Sequence, residues 1–134
     1  MIKFMLDTNI CIYIIKKKPK QVLRRLKNTR ISDIGVSSIT LSELEYGAAK
    51  SSRPDQNKIA LAEFLAPLKI LSYDDMAAQE YGKIRESLER HGTPIGSMDM
   101  LIAAHALSLN CILVTNNERE FSRLASLKVE NWCK

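Results

Sequence analysis

The sequence predicts an α/β fold, in which a mostly parallel β-sheet is covered by helices on both faces. Short apolar segments alternate along the chain with longer segments of helical periodicity, as they do in strand–helix–strand units. The chain has 134 residues, of which 46% are hydrophobic and 26% charged. This length and composition fit one globular domain spanning residues 1–134, with no internal repeat and no long linker.

The strands and helices can be assigned in order from apolar runs, spacing and capping residues. We predict strands at residues 2–6, 34–36, 69–71, 111–114 and 127–129, the last being the weakest. Helices are predicted at residues 10–15, from Pro19, from Thr40, at 55–65, from Asp74, at 97–109 and at 119–124. The first of these helices is the least certain assignment, because its β-branched isoleucines also suit a strand. Periodicity does not give the order of the strands in the sheet.

Three classes of protein are excluded by simple features of the chain. No apolar run approaches the roughly 18 residues that a membrane-spanning helix needs, and the N-terminus reaches Asp7 too early for a secretory signal. Cys11, Cys111 and Cys133 are odd in number and far apart, which does not fit a disulfide framework or a zinc site. We therefore expect a cytoplasmic protein with no membrane partner.

The positive charge of the chain is concentrated near its beginning. Residues 1–30 contain nine basic residues and one acid, Asp7, whereas the remainder contains 11 basic and 14 acidic residues. A basic edge with a net charge of +8 on a body of −3 favours a polyanionic partner such as nucleic acid. The alternative is a solvated helix face that is rich in lysine. Candidate RNA contacts are Lys16, Lys17, Lys18, Arg24 and Arg25.

Acidic residues follow several of the predicted strands. Ligands of open α/β sheets bind beyond the carboxyl ends of the strands, and this edge would receive Asp7, Glu43, Asp99 and the segment from Thr115 to Glu120. Several carboxylates in one place repel one another unless a cation neutralises them. Oxygen ligands without a histidine or cysteine cluster indicate Mg²⁺, with Mn²⁺ as a substitute.

Each of these acids also has a purely structural explanation. Asp7 can cap the following helix, Thr40 and Glu43 have the spacing of a capping box, and Asp99 can interact with a helix dipole. The two histidines, His91 and His105, are expected to be structural, so a metal-free acid–base mechanism is not favoured.

Four segments of the chain resemble those of VapC-type toxins, which are PIN-domain ribonucleases of type II toxin–antitoxin pairs. They are Met5-Leu-Asp-Thr-Asn-Ile10, Ser38-Ile-Thr-Leu-Ser-Glu-Leu-Glu-Tyr-Gly47, Pro94-Ile-Gly-Ser-Met-Asp-Met-Leu-Ile-Ala103 and Leu113-Val-Thr-Asn-Asn-Glu-Arg-Glu-Phe121. The resemblance implies an α/β/α sandwich with strand order 3-2-1-4-5. It also implies a homodimer and a VapB-like antitoxin that blocks the acidic pocket, forms larger hetero-oligomers and alone contacts operator DNA.

The same resemblance assigns Asp7, Glu43 and Asp99 as catalytic acids, with Asp7 and Asp99 holding Mg²⁺. The fourth acid is expected to be Glu120, although many members have an aspartate where this chain has Asn117. Thr115 and Asn117 would then be polar support, and Asn9 would orient Asp7. The implied reaction is hydrolysis of RNA by a water whose proton passes to Glu43 or Glu120.

The implied substrate is initiator tRNA, cut in its anticodon loop to stop translation. Ribosomal or other RNA remains an alternative target, and a non-catalytic nucleic-acid-binding module is a second alternative. A haloacid-dehalogenase-like phosphatase is disfavoured, because it needs a second acid at the position of Asn9. A P-loop nucleotide hydrolase is excluded by the absence of G-x-x-x-x-G-K-[ST].

Overall fold

Five parallel strands form the centre of the molecule, which is described over residues 1–134 by a computed structural model. The strands are β1 (Phe4–Leu6), β2 (Ile34–Ser37), β3 (Lys69–Leu71), β4 (Ile112–Val114) and β5 (Val129–Glu130). They are arranged in the order β3-β2-β1-β4-β5, and every neighbouring pair is parallel. The α/β class and the 3-2-1-4-5 order are thereby confirmed.

Seven α-helices connect and cover the strands. They are α1 (Thr8–Ile15), α2 (Lys20–Lys27), α3 (Ser38–Lys50), α4 (Pro54–Leu65), α5 (Asp75–Arg90), α6 (Ser97–Leu109) and α7 (Glu118–Phe121). A single 3₁₀ turn, Ile31–Asp33, leads into β2 and was not predicted. No helix is both long enough and apolar enough to cross a membrane.

Two apolar clusters lie on opposite faces of the sheet because successive side chains of a strand point in opposite directions. Met5 belongs to the cluster beneath α5 and α6, whereas Phe4 and Leu6 belong to the cluster beneath α1 to α4. Trp132 is fully buried in the second cluster, where its ring packs edge-on against Phe4. The result is the three-layered α/β/α arrangement that the resemblance implied.

The predicted boundaries differ from the structure mainly at helix starts and at the last strand. Helix α3 begins at Ser38, because the side chain of Ser37 caps it by accepting a hydrogen bond from the Ile39 amide. The fifth strand lies at Val129–Glu130 rather than at 127–129, since Leu127 is buried in the core just before the strand. The first helix is confirmed, and it begins directly after Asp7.

Candidate active site

The strand β1 is the central strand of the sheet, and Asp7 follows its last residue. A backbone hydrogen bond holds Asp7 beside the end of β4. The Asp7 amide donates to the Val114 carbonyl at 2.9 Å, so Asp7 and Thr115 lie side by side. The Thr115 hydroxyl donates to Asp7 Oδ2 at 2.7 Å, while Asp7 Oδ1 accepts from the Thr8 amide at 2.8 Å. Asp7 therefore caps α1, as the structural explanation proposed, and also faces the carboxyl edge of the sheet.

The direction of the Thr115 hydroxyl is fixed by a second contact. Thr115 Oγ1 accepts a hydrogen bond from the Asn117 amide at 3.0 Å, so its own hydrogen is directed to Asp7. Even so, burial raises the pKa of Asp7, and this effect outweighs the two hydrogen bonds that favour the ionised carboxylate.

Glu43 approaches Asp7 from helix α3. Its Oε1 accepts a hydrogen bond from the Thr8 hydroxyl at 2.7 Å, so Thr8 links two of the predicted acids through its amide and its hydroxyl. The capping-box explanation of Glu43 is wrong, because Ser37 and not Thr40 caps α3. The Thr40 hydroxyl is instead buried without a hydrogen-bond partner.

Asp99 and Glu120 complete the acidic cluster from α6 and α7. The pKa of Asp99 is raised to about 7, mainly by desolvation and further by the charge of Asp7, a hydrogen bond with Glu120 and the charges of Glu120 and Glu43. Glu120 is held from the other side by Asn117, whose Nδ2 donates to Glu120 Oε2 at 3.3 Å. The other three carboxylates are thus close enough to disfavour the ionised form of Asp99.

Several predicted site residues lie elsewhere or have other partners. Glu118 forms an ion pair with Lys134 at 3.0 Å, which lowers the pKa of its carboxyl and keeps it outside the cluster. Asn9 is exposed and forms no hydrogen bond with Asp7, so the prediction that it orients Asp7 is wrong. Thr8 and Thr115 supply those contacts, since the first turn of α1 carries Asn9 away from the sheet.

The basic residues near the N-terminus divide into two groups. Lys16, Lys17, Lys18 and Arg24 are exposed. Arg25 instead donates to Glu130 at 2.9 Å and lies over the ring of Trp132, 5.5 Å from its centroid. Arg25 is exposed as well, but it joins α2 to the C-terminal segment, and its assignment to RNA binding stays a prediction.

The two histidines make contacts away from the acidic cluster. His105 is buried and its Nδ1 lies 2.7 Å from the Ser37 hydroxyl, where burial lowers the pKa of the imidazole. His91 is exposed at the end of α5, with Nδ1 2.7 Å from the Ser87 carbonyl.

Sequence reasoning overlooked Thr8 and the pair formed by Tyr13 and Asn116, whose Nδ2 donates to the tyrosine hydroxyl at 2.9 Å. Thr8 lies in the first of the recognisable segments, so its position was a usable signal. The Tyr13–Asn116 contact joins residues 103 positions apart and has no local sequence signature.

Residues 4–127 match the PIN domain family. A protein from Salmonella typhimurium, described as tRNA(fMet)-specific endonuclease VapC, is 48% identical over 133 residues, covering 99% of this chain and all of the relative. This chain is a VapC-type PIN-domain protein. Ribonuclease VapC2 of Haemophilus influenzae is 48% identical over 98% of this chain and 99% of its own length. The crystal structure of DNA-bound VapBC from Salmonella typhimurium superposes with a TM-score of 0.94, covering 99% of this chain and all of that one at 48% identity.

PIN-domain ribonucleases are metal-dependent, so the carboxylates must be compared with what a divalent cation requires. No three of them converge as a complete ligand set. Mg²⁺ usually takes only one or two carboxylates and keeps several waters. Desolvation and the charges of the neighbouring carboxylates together raise the pKa of Asp99 to about 7, and a cation would offset both effects, so these residues fit a hard divalent cation.

Proposed function

We propose that this chain is the toxin component of a type II toxin–antitoxin pair and acts as a Mg²⁺-dependent endoribonuclease on tRNA. The observation that carries the proposal is the group of four carboxylates at the carboxyl edge of the sheet, in which the pKa of Asp99 is raised to about 7. The substrate is inferred from the relative described as a tRNA(fMet)-specific endonuclease. The anticodon loop of initiator tRNA is the proposed target, since splayed loop bases can be read more easily than an A-form helix.

The residues divide the chemistry between them. Asp7 and Asp99 would hold Mg²⁺ or Mn²⁺, with Glu43 and Glu120 completing the shell directly or through water. A bound cation supplies positive charge that stabilises the phosphodiester and makes water a better nucleophile. Thr115 and Asn117 keep Asp7 and Glu120 in place, and Glu43 or Glu120 accepts the proton of the attacking water. The products of such an attack at phosphorus are 5′-phosphate and 3′-hydroxyl ends.

Cleavage of total RNA tests this function and its alternatives together. The purified chain is incubated with RNA in Mg²⁺ or in EDTA, and the new 5′-phosphate ends are mapped. We expect Mg²⁺-dependent cuts in the initiator tRNA anticodon loop, which Asp7→Asn abolishes and Asp33→Asn, a change at a partly exposed acid outside the cluster, preserves. Cuts in ribosomal RNA would replace the substrate assignment. Absence of any cut would favour the non-catalytic binding module.

The proposed antitoxin site is an apolar groove beside the acidic cluster. Helices α1, α3 and α4 enclose a cavity of about 300 Å³, lined by Ile12, Ile15, Leu44 and Leu61, with Glu43 at its polar side. We propose that a VapB-like antitoxin inserts an apolar segment here and thereby blocks the carboxylates, in the manner of a helix in a groove. The protein would act in the cytoplasm, as a homodimer and in larger complexes that reach operator DNA through the antitoxin.

A single substitution tests the groove. Ala60 lines it, so Ala60→Asp would put a charge into the apolar site and weaken the complex with a VapB-like antitoxin in size-exclusion chromatography. The matched control is Ala78→Asp on the exposed surface of α5. Equal retention of the antitoxin by both variants would contradict this placement.

A further inference from the structure

A second cavity lies next to the acidic cluster. It shares Lys16 with the apolar groove but differs from that groove in its chemistry. It has a volume of about 500 Å³ and is lined by Tyr13, Lys16, Lys18, Pro19, Asn116 and Cys133. The lining contains two lysines, an aromatic ring and an amide, and it contains no carboxylate. Neither lysine forms a salt bridge within the protein, and both are exposed.

The cavity is tied to the acidic cluster through two consecutive residues. Thr115 donates to Asp7, and the next residue, Asn116, donates through Nδ2 to the hydroxyl of Tyr13 at 2.9 Å. Tyr13 is six residues beyond Asp7, and α1 joins the two. At 1.5 Å of rise per helical residue, this places Tyr13 about 9 Å from Asp7 along the helix. A nucleotide bound in the cavity would therefore lie close along an RNA strand to a phosphodiester held at the carboxylates.

We infer that this cavity is a subsite for a nucleotide that adjoins the cleaved phosphodiester of single-stranded RNA. Lys16 and Lys18 would hold the two phosphates that flank it, one each, since unpaired lysines act as point charges for the nucleic-acid backbone. The base would pack against the ring of Tyr13, a contact that tolerates any base. Asn116 uses its Nδ2 on Tyr13 and keeps its carbonyl oxygen free to accept from a base edge. This inference rests on the proposed nuclease function and specifies how its substrate is held.

Binding of a fluorescein-labelled anticodon stem-loop of initiator tRNA, measured by anisotropy in EDTA, tests the subsite separately from cleavage. The double variant Lys16→Gln/Lys18→Gln should weaken binding and lower the slope of log K against log salt by about 1.4, or about 0.7 for each lost phosphate contact. The matched control, Lys27→Gln/Lys128→Gln, removes the same charge from exposed lysines outside the cavity and should change the slope by less than half as much.

The aromatic contact is tested by two changes at one position. Tyr13→Leu removes the ring and should raise the Kd at least about fivefold, whereas Tyr13→Phe keeps the ring, loses only the bond with Asn116 and should have a smaller effect.

Alkylation of Cys133 provides a measurement that needs no variant. This cysteine lines the cavity, whereas Cys11 and Cys111 are buried, so bound RNA should slow its alkylation by iodoacetamide.

The outcomes separate this inference from the proposed function. Failure of the parent protein to cut RNA in Mg²⁺ would overturn the function. A parent that cuts RNA, with variants that bind it normally and Cys133 alkylated at the same rate with and without RNA, would overturn the subsite alone. Lys16 also lines the apolar groove, so the antitoxin is tested with Tyr13→Leu alone. Loss of the antitoxin by this variant with normal RNA binding would assign the cavity to a protein partner, which also overturns the inference.

Discussion

Replacing Asp99 by asparagine should make the metal-free protein more stable while removing its response to Mg²⁺. The Asp99 carboxyl has a pKa of about 7 in the folded protein, compared with an ordinary value of 3.8, so its ionised form is disfavoured by folding. This difference corresponds to at most about 4 kcal/mol. Because water reaches the partly exposed side chain, we expect about 1 to 2 kcal/mol in practice.

The stabilisation that Asp99→Asn produces should depend on pH. A carboxyl whose pKa is raised on folding binds its proton more tightly in the folded state, so stability falls as pH rises from about 4 to about 7. Above pH 7 the penalty is complete, and Asp99→Asn removes it. At pH 4.5 the folded chain is protonated at this position and the unfolded chain is mostly ionised, so only the first part of the penalty has developed, and the gain should be about a quarter of its value at pH 8.

Urea unfolding in EDTA, at pH 8 and at pH 4.5, measures this difference directly. The control is Asp55→Asn in the first turn of α4, an exposed acid outside the cluster. Addition of Mg²⁺ at pH 8 should stabilise the parent and the control but not Asp99→Asn, since a ligand of the folded state stabilises it by mass action. A variant no more stable than the parent at pH 8, or equally stabilised at both pH values, would refute the electrostatic reasoning.

Three further predictions concern contacts in the cluster and at the C-terminal segment. Thr115→Val removes the hydroxyl that donates to Asp7, so the rate of RNA cleavage should fall about tenfold. Thr115→Ser keeps the donor and should retain most activity. Equal cleavage rates for the two variants would show that this hydrogen bond is unimportant. Glu120→Gln should reduce cleavage at least about 100-fold and Glu118→Gln little, because only Glu120 contacts Asp99; the reverse result would exchange their roles. Arg25→Gln should lower the free energy of unfolding by about 0.5 to 1 kcal/mol in urea titrations, with RNA affinity nearly unchanged. A large loss of RNA affinity would instead identify Arg25 as an RNA contact.

The fold followed from sequence because it depends on patterns that are local. Apolar runs and capping residues located all five strands and seven helices, and Asp74, which accepts from the Ala77 amide, caps α5 as expected. The strand order came from family resemblance, since periodicity carries no information about which strands are neighbours. The last strand is predicted two residues too early because the apolar Leu127 is included in it, whereas Leu127 is buried in the core before the strand begins.

Asp7, Asp99 and Glu120 could be predicted because they follow a strand or lie in the first turn of a helix at one edge of the sheet. Glu43 lies in the second turn of α3 and was identified by resemblance to the family. The contacts that hold these acids could not be predicted. Whether Asn9 or Thr8 reaches the carboxylate depends on the rotation of the first turn of α1, and Arg25 finds Glu130 only after 105 residues have folded back. Such partners are chosen by tertiary packing, which the local sequence does not encode.

The carboxylates come from four separate segments, and this arrangement controls when the protein can become active during its synthesis. Asp7 directly follows the first strand, but Thr115 and Glu120 lie near the other end of the chain and reach it only when β4 has joined β1. A growing polypeptide that lacks β4 has neither Thr115 nor Glu120, so its cluster is incomplete. Since strand pairing between distant segments is slow, a ribosome could finish translating this nuclease before the nuclease could damage translation.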